Sequence, residues 1–289
     1  MMTIILTASG VAVIILLAGN LPWAGFGPIP GLMAWNLRIG TYLPWAVIPG
    51  AVYLWGYWLF ISGKWTGEAR AVHRRTNLRA NRLPKETWAL ALASGILGFG
   101  TLLVFVGLIA RLINLPAGMP ITTPPGMPFV TAVVLITMAS IVAGVSEEAA
   151  FRGYMQSMIE RRYGVTVAIL ANGILFGLLH FGNHPADVLM MLPYYIAVAA
   201  VYGGLTWATD SILPAIVLHS IGDIIVLLRW WITGLPEWQL NTTIPALVWD
   251  SGIDASFMIL AAITAIMALF TILAYRALYR YRINRDSSI

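Results

Sequence analysis

Six ionisable residues lie inside long apolar stretches of this sequence, where an unpaired charge is costly and usually marks a function. They are Glu147, Glu148, Arg152, His180, His219 and Asp223. Carboxylates and imidazoles take up and release protons near neutral pH, so this set could activate a water molecule for hydrolysis. The same residue types also build proton pathways, and a non-enzymatic transport or immunity protein is therefore an alternative.

The spacing of these residues assigns them different tasks. Glu148 and Arg152 are four positions apart and share one face of a helix, which predicts a buried ion pair that supports the site. Glu147 is rotated by about 100° from Glu148 on a regular helix and lacks that partner. We therefore interpret Glu147 as the functional acid. His219 and Asp223 are also four apart and lie on one helix face.

Three of these residues are predicted to lie at a similar depth in the membrane. A turn is expected near Tyr163 and Gly164, and Glu147 precedes it by almost as many residues as His180 follows it. In an antiparallel helix pair both would lie about 25 Å from the turn. His219 is about 14 Å from its own turn by the same rise. The three levels match if the first two helices project beyond the membrane by about two turns.

The elements that must position these residues follow from composition. Hydrophobic residues make up 59% of the 289 positions and charged residues only 10%, whereas a soluble domain is about a quarter charged. Apolar stretches of about twenty residues predict membrane-spanning helices rather than barrel strands. We predict one all-α polytopic membrane domain over residues 1–289, with a catalytic core at 130–225. The eight predicted spans are 3–20, 40–62, 87–112, 128–150, 165–182, 187–207, 211–232 and 255–278.

Basic residues set the predicted orientation. Most of the 17 lysines and arginines fall in the loop 63–86, the turn at 161–162 and the tail after 275. With eight spans these three places share one side, which the positive-inside rule makes cytoplasmic together with both termini. The basic loop is expected to contact anionic lipids. It lacks the interleaved aromatic residues of a nucleic-acid site, so no nucleic-acid partner is expected.

Three short motifs resemble those of the CPBP family. This family comprises CAAX prenyl proteases of the Rce type and bacteriocin-processing or self-immunity proteins of the Abi type. The motifs cover about residues 130–225 and lie in order on separate predicted spans; they are Glu147-Glu148-x-x-x-Arg152, Phe176-x-x-x-His180 and His219-x-x-x-Asp223. The longer string from Glu147 to Gly153 is more similar to the prokaryotic Abi-type branch, which implies a location in a prokaryotic cytoplasmic membrane.

The resemblance implies a glutamate-dependent intramembrane endopeptidase that needs neither metal nor cofactor. Glu147 and His180 would activate a water molecule, and His219 and Asp223 would stabilise the oxyanion. The expected substrate is a membrane-embedded or lipid-modified peptide. Asp223 departs from the asparagine usual in the CAAX proteases. An ionised carboxylate would repel an oxyanion, so Asp223 must either be protonated or orient His219 or a water molecule.

Other hydrolytic sites are alternatives. Glu147, His180 and His219 could hold zinc with an open coordination position, although no His-Glu-x-x-His motif occurs. Ser146 and the Ile221-Gly222-Asp223 string are incomplete matches to serine and aspartyl protease motifs. The absence of cysteine excludes a cysteine nucleophile, a disulfide and a thiolate metal site.

Overall fold

The computed structural model describes residues 2–20, 36–40, 42–115, 121, 123, 125–180, 189–235, 238–239 and 245–287. Within these ranges the regular secondary structure is helical, and the one β-type contact is an isolated bridge between Ala80 and Ser211. The predicted all-α fold class is therefore confirmed.

The helices follow the predicted spans closely. In chain order they are α1 (Met2–Asn20), α2 (Val47–Ser62), α3 (Glu68–Asn77), α4 (Lys85–Ile109), α5 (Phe129–Glu147), a π-helix (Glu148–Met155), α6 (Gln156–Leu179), α7 (Leu192–Thr209), α8 (Leu213–Thr233), α9 (Val248–Ser251) and α10 (Ala255–Asp286). Helix α3 lies in the basic loop, which the sequence does not predict to be helical. Helix α10 extends the last predicted span by two further turns.

Four helical stretches of the described chain are long and apolar enough to cross a membrane, which makes this an integral membrane protein. They are Lys85–Ile109, Phe129–Leu179, Leu213–Thr233 and Ala255–Asn284. The second contains two predicted spans, since α5, the π-helix and α6 follow one another without a loop. Helices α1 and α2 are apolar but shorter. Eight crossings and cytoplasmic termini remain predictions.

The chain reverses direction at Gly164. This glycine has φ 80° and ψ 166°, a conformation that breaks the helix and that side chains with a Cβ rarely adopt. Beyond it, α6 returns along the π-helix, and the rings of Phe151 and Phe176 lie 5.1 Å apart. The predicted turn at Tyr163 and Gly164 is therefore confirmed.

Glycines allow the site helices to approach closely. A Cβ atom on Gly144 of α5 would lie 2.3 Å from the Ser220 hydroxyl oxygen of α8. A Cβ atom on Gly173 of α6 would lie 2.6 Å from the Ile196 Cα of α7. Membrane helices use small residues in this way to bring their backbones together. Gly144 and Ser220 are within three residues of Glu147 and His219, so this contact brings the two motifs together.

A short backbone segment, Leu78–Asn81, closes one end of the bundle. The Ile212 amide donates to the Arg79 carbonyl at 2.8 Å, and Arg79 binds Glu160 through two hydrogen bonds of 2.9 Å. A Cβ atom on Gly153 would lie 2.6 Å from the Leu78 carbonyl oxygen, so this glycine leaves room for the segment. We call this end of the bundle, formed by residues 78–82, 160–163 and 209–212, the basic end.

Candidate active site

The imidazole of His219 lies at the centre of the site. It is 5% exposed, and its Nδ1 lies 2.7 Å from Oε1 of Glu148. The Tyr202 ring stacks on the imidazole, with centroids 5.0 Å apart and an interplanar angle of 7°. Because a carboxylate only accepts, Nδ1 carries the proton and donates it to Glu148. These two contacts fix the orientation of the ring.

The other nitrogen of His219 faces two further carboxylates. Its Nε2 lies 3.6 Å from Oε2 of Glu147 and 3.5 Å from Oδ2 of Asp223. Both separations exceed the 2.7–3.2 Å usual for N–H···O hydrogen bonds, so they are looser charge contacts. The side chains of Glu147 and Asp223 remain 21% and 31% exposed, respectively. A water molecule or a substrate carbonyl can therefore approach Nε2 between them.

Glu148 and Arg152 form the buried ion pair that their spacing predicts. Both side chains are fully buried, and Nη1 of Arg152 lies 3.0 Å from Oε1 of Glu148. The guanidinium carbon lies 5.0 Å from the Phe176 ring centre and 5.6 Å from that of Tyr202, within the range of a cation–π interaction. Glu148 does more than was predicted, since the same oxygen that pairs with Arg152 also binds His219.

His180 lies at the end of α6. Its Nδ1 is 2.7 Å from the Phe176 carbonyl oxygen, and a carbonyl only accepts, so Nδ1 donates. In the neutral ring Nε2 is then free to accept a proton. The ring packs on Phe176 and Tyr195, with centroids 4.5 and 4.7 Å away.

The structure therefore brings the predicted residues together in two ways. Glu147, Glu148 and Asp223 contact His219 directly. Among the described residues, His180 is hydrogen-bonded to the Phe176 carbonyl rather than to His219 or Asp223. Glu148, predicted as support only, is a direct partner of the central histidine.

Sequence reasoning missed two tyrosines of α7. Tyr195 packs on His180, and Tyr202 stacks on His219. Both side chains are at most 5% exposed. They are seven positions apart, a spacing that places residues on one face of a helix. The feature of the sequence that could have indicated them is a pair of tyrosines seven positions apart within one apolar span.

The π-helix begins at Glu148, where the sequence predicts a regular helix. Such stretches are rare and are found frequently at functional sites. Here the consecutive glutamates reach opposite nitrogens of one imidazole, Glu148 at Nδ1 and Glu147 at Nε2. The rotation of about 100° between consecutive helix positions predicts different partners for the two glutamates, yet both contact His219.

No group of three or more His, Asp or Glu side chains in the described ranges is arranged to hold a metal ion. One nitrogen of His219 is already bound to Glu148 and one nitrogen of His180 to a backbone carbonyl. Each imidazole could therefore offer only its Nε2 to a metal.

Comparison with known proteins adds one finding. Residues 128–225 match the family described as type II CAAX prenyl endopeptidase Rce1-like. No curated protein and no solved structure matches the chain. The matched range contains all six ionisable residues and the three motifs that carry them. Over this range, the chain is similar to the Rce1-like family of type II CAAX prenyl endopeptidases.

Proposed function

We propose that this protein is an intramembrane endopeptidase in which Glu147 is the general base and His219 stabilises the oxyanion. The observation that carries the proposal is the arrangement around one imidazole. Its Nδ1 is bound to the buried Glu148, and its Nε2 faces Glu147 and Asp223 across gaps of 3.6 and 3.5 Å. The family match to endopeptidases supports the same reaction class.

The proposed reaction begins with a water molecule between Glu147 and the substrate carbonyl. Glu147 takes a proton from the water, and the water oxygen forms a bond to the carbonyl carbon. The carbonyl oxygen becomes an oxyanion and accepts a hydrogen bond from Nε2 of a protonated His219. Glu147 then passes its proton to the peptide nitrogen, and the C–N bond breaks. The products are a carboxylic acid and an amine, which exchange one proton to give a carboxylate and an ammonium ion, and no electron transfer is involved.

The charges around His219 suit this role. Glu148 at Nδ1 favours the protonated imidazole, because an opposite charge within hydrogen-bonding distance stabilises the charged form. Tyr202 holds the plane of the ring. Arg152 compensates the charge of Glu148, whose burial without a partner would cost several kcal/mol. These three residues position His219 without touching the substrate.

His180 and Asp223 are proposed to complete the site. Among the described residues, Nε2 of His180 has no hydrogen-bond partner, and we assign it as a second acceptor for a proton of the attacking water. Asp223 is 31% exposed and faces the proton-bearing Nε2 of His219, so we assign it to orienting that imidazole or the water. An ionised Asp223 would repel the oxyanion, which argues against direct contact with it.

The substrate is proposed to be a membrane-embedded or lipid-modified peptide. The catalytic residues lie on helices long and apolar enough to cross a membrane, so a scissile bond must reach the site from within or beside the lipid. The family match to CAAX endopeptidases favours a membrane-anchored peptide. Membrane lipids are the remaining expected partners.

The test compares Glu147→Gln with wild type in cleavage of membrane-anchored peptides and in the new protein termini found in membrane fractions. Loss of a general base lowers kcat by about 10²- to 10⁴-fold. The matched control is Glu86→Gln, the same change at an exposed glutamate in the first turn of α4, which should leave cleavage unchanged.

Three outcomes would contradict this proposal. Undiminished cleavage by the Glu147→Gln variant removes the assigned base. Activity that is lost with a chelator and restored by stoichiometric zinc supports instead a metal-dependent enzyme built on Glu147, His180 and His219. If the protein cleaves no peptide and Glu147→Gln changes only transport or immunity, the enzyme assignment fails.

A further inference from the structure

A row of polar side chains leads from His219 to the basic end of the bundle. Its members recur every fourth position along the π-helix and α6, and they are Glu148, Arg152, Gln156 and Glu160. The first three are completely buried, and the Glu160 side chain is 15% exposed. Residues four apart share one face of a helix, so the row crosses the protein interior. We call these four residues the polar column.

Both ends of the polar column are bonded within the protein. At one end Arg152 pairs with Glu148, which binds His219. At the other, the Gln156 amide donates to Glu160 at 3.2 Å and to the Gly203 carbonyl at 2.9 Å. Glu160 in turn binds Arg79, whose side chain is 11% exposed. The gap in the column therefore lies between Arg152 and Gln156.

Buried polar atoms without a hydrogen-bond partner are concentrated around this gap. Nη1 of Arg152 is at ion-pair distance from Glu148 but not in hydrogen-bond geometry, and none of the three guanidinium nitrogens has a hydrogen-bond partner in the described residues. The same holds for Oε1 of Gln156, both amide atoms of Asn172 and the Thr206 hydroxyl. An unsatisfied buried polar group destabilises a fold, and such groups are rare.

The antiparallel chain segments place Asn172 at the level of the gap. The Arg152 guanidinium lies over the Phe176 ring, and the chain segments before and after Gly164 run antiparallel. One helical turn toward the basic end leads from Arg152 to Gln156 on one segment and from Phe176 to Asn172 on the other. Asn172 and Gln156 are therefore at the same level.

Thr206 extends the set on α7. The Gly203 carbonyl accepts the Gln156 amide, and Thr206 follows Gly203 by three residues toward Asp210 at the basic end. Its hydroxyl is completely buried. Three helices thus contribute unpartnered donors and acceptors to one region between the site and the basic end.

We propose that internal water molecules bridge Arg152, Gln156, Asn172 and Thr206, and that this hydrated path resupplies the water consumed at Glu147. The inference rests on the proposed function, in which each turnover uses one water molecule. Buried waters typically make about three hydrogen bonds to otherwise unsatisfied polar groups. Here Arg152 and Gln156 are one helical turn apart, and Asn172 and Thr206 lie within about one turn of the level of Gln156.

The chemistry of the lining favours water over an ion. The path offers donors from Arg152 and Asn172 and acceptors from Gln156, Asn172 and Thr206, which a neutral molecule that both donates and accepts can satisfy. The Arg152 charge is already balanced by Glu148 at 3.0 Å, so neither a cation nor an anion is required. Glu160 and Arg79, which are partly exposed, connect the path to solvent.

The kinetic test uses Asn172→Leu and Thr206→Val, which replace polar atoms by apolar groups of similar size. Both variants should lower kcat about three- to tenfold and leave KM unchanged, because they remove a water contact and no substrate contact. The matched control is Thr101→Val, since the Thr101 hydroxyl is bonded to Thr271 across α4 and α10. This control should retain wild-type kcat.

A second measurement does not depend on activity. Radiolysis converts bound water to hydroxyl radicals that oxidise adjacent side chains, and Phe176 and Tyr202 flank Arg152 while only 5% exposed. Both rings should be oxidised in wild type and much less in Asn172→Leu. Tyr275 is equally buried, and its hydroxyl donates to the Val201 carbonyl, so its oxidation should not change.

The outcomes separate the two proposals. If Asn172→Leu and Thr206→Val unfold at a higher temperature, keep their kcat and show unchanged oxidation, the region is dry and the hydrated path is wrong. If Glu147→Gln retains cleavage while Phe176 and Tyr202 are oxidised in a manner that depends on Asn172, the path exists and the assigned base is wrong. Loss of both kcat and oxidation supports the path.

Discussion

Two apolar helical stretches of this protein have similar hydropathy and very different surroundings. The most apolar 18-residue part of Phe129–Leu179 has a mean hydropathy of 2.2, and that of Ala255–Asn284 has one of 2.6. Yet 56% of the most apolar part of the first is buried inside the protein, against 6% for the second. The first contains Glu147, Glu148 and Arg152, whereas the apolar part of the second carries no charge. Hydropathy thus locates a helix in the membrane, and polar residues indicate which helix faces protein.

The physical reason is that lipid and protein interior are similarly apolar but differ in their ability to pair charges. Glu148 and Arg152 are tolerated in Phe129–Leu179, which we call the inner stretch, because they bind each other and Glu148 also binds His219. Ala255–Asn284, which we call the outer span, faces mostly lipid. Its apolar side chains such as Ile259, Ile266 and Phe270 are more than half exposed. A charge at such positions would have no partner.

The largest expected effect on stability tests this contrast directly. Glu148→Ala leaves Arg152 as a buried charge without its partner, and such a loss costs about 3–5 kcal/mol of unfolding free energy. Ile266→Ala on the outer span should change stability by about 0.5 kcal/mol or less, as exposed substitutions do. Chemical unfolding of both variants in the same detergent provides the measurement. Equal destabilisation would mean that the buried pair has no special role.

A smaller effect concerns the close contact between α5 and α8. Gly144→Ala places a Cβ 2.3 Å from the Ser220 hydroxyl oxygen and 3.1 Å from its backbone nitrogen, so a helix must shift. We expect a loss of about 1–3 kcal/mol, which is typical of overpacking. Gly56→Ala on α2 is the matched control, because no atom lies within 4 Å of its added Cβ. That variant should gain up to about 1 kcal/mol from its better helix propensity.

Gly144→Ala should also separate packing from chemistry. The shift moves Glu147 relative to His219, and these side chains are 3.6 Å apart across the two helices. Thermal unfolding and peptide cleavage are measured on the same preparation. A variant that loses stability but retains full cleavage would show that the spacing between these helices does not determine the geometry of the site.

Much of the fold and the site could be predicted because helix geometry is regular. The positions of Glu147 and His180 on either side of the turn at Gly164 predict a common level without any knowledge of packing, and His219 joins that level if the two helices project by about two turns beyond the membrane. The spacing of Glu148 and Arg152 predicts their ion pair. These inferences use only distances along a helix, which the sequence determines.

The remaining features depend on contacts between distant parts of the chain. The π-helix, the bond from Glu148 to His219 and the stacking of Tyr202 each arise from tertiary packing, which local spacing does not encode. The docking of residues 78–81 on Gly153 and Ile212 joins positions more than seventy residues apart. The sequence shows a glycine at position 153, but it does not show that residues 78–81 pack beside it.

The smallest expected effect lies at the start of the outer span, outside its apolar part. Arg111 binds Asp254 with Nη2 2.7 Å from Oδ2, and the Phe257 amide donates to the same carboxylate at 2.8 Å. The hydrogen bond from Arg111, followed by that from the Phe257 amide, holds the pKa of Asp254 well below its usual range. Since the folded-state pKa is lowered, the stabilisation is present above the ordinary aspartate pKa of about 4.

This stabilisation is lost as the pH falls from about 4 toward the lower folded-state pKa. The difference in unfolding temperature between wild type and Asp254→Asn should therefore be constant above about pH 5 and shrink below about pH 4. Asp250→Asn, the same change at an exposed aspartate of α9, controls for acid effects elsewhere. The effect should be small because the Asp254 side chain is 47% exposed and solvent screens the pair. A difference that grows on acidification would show that Arg111 does not stabilise the start of α10 through this carboxylate.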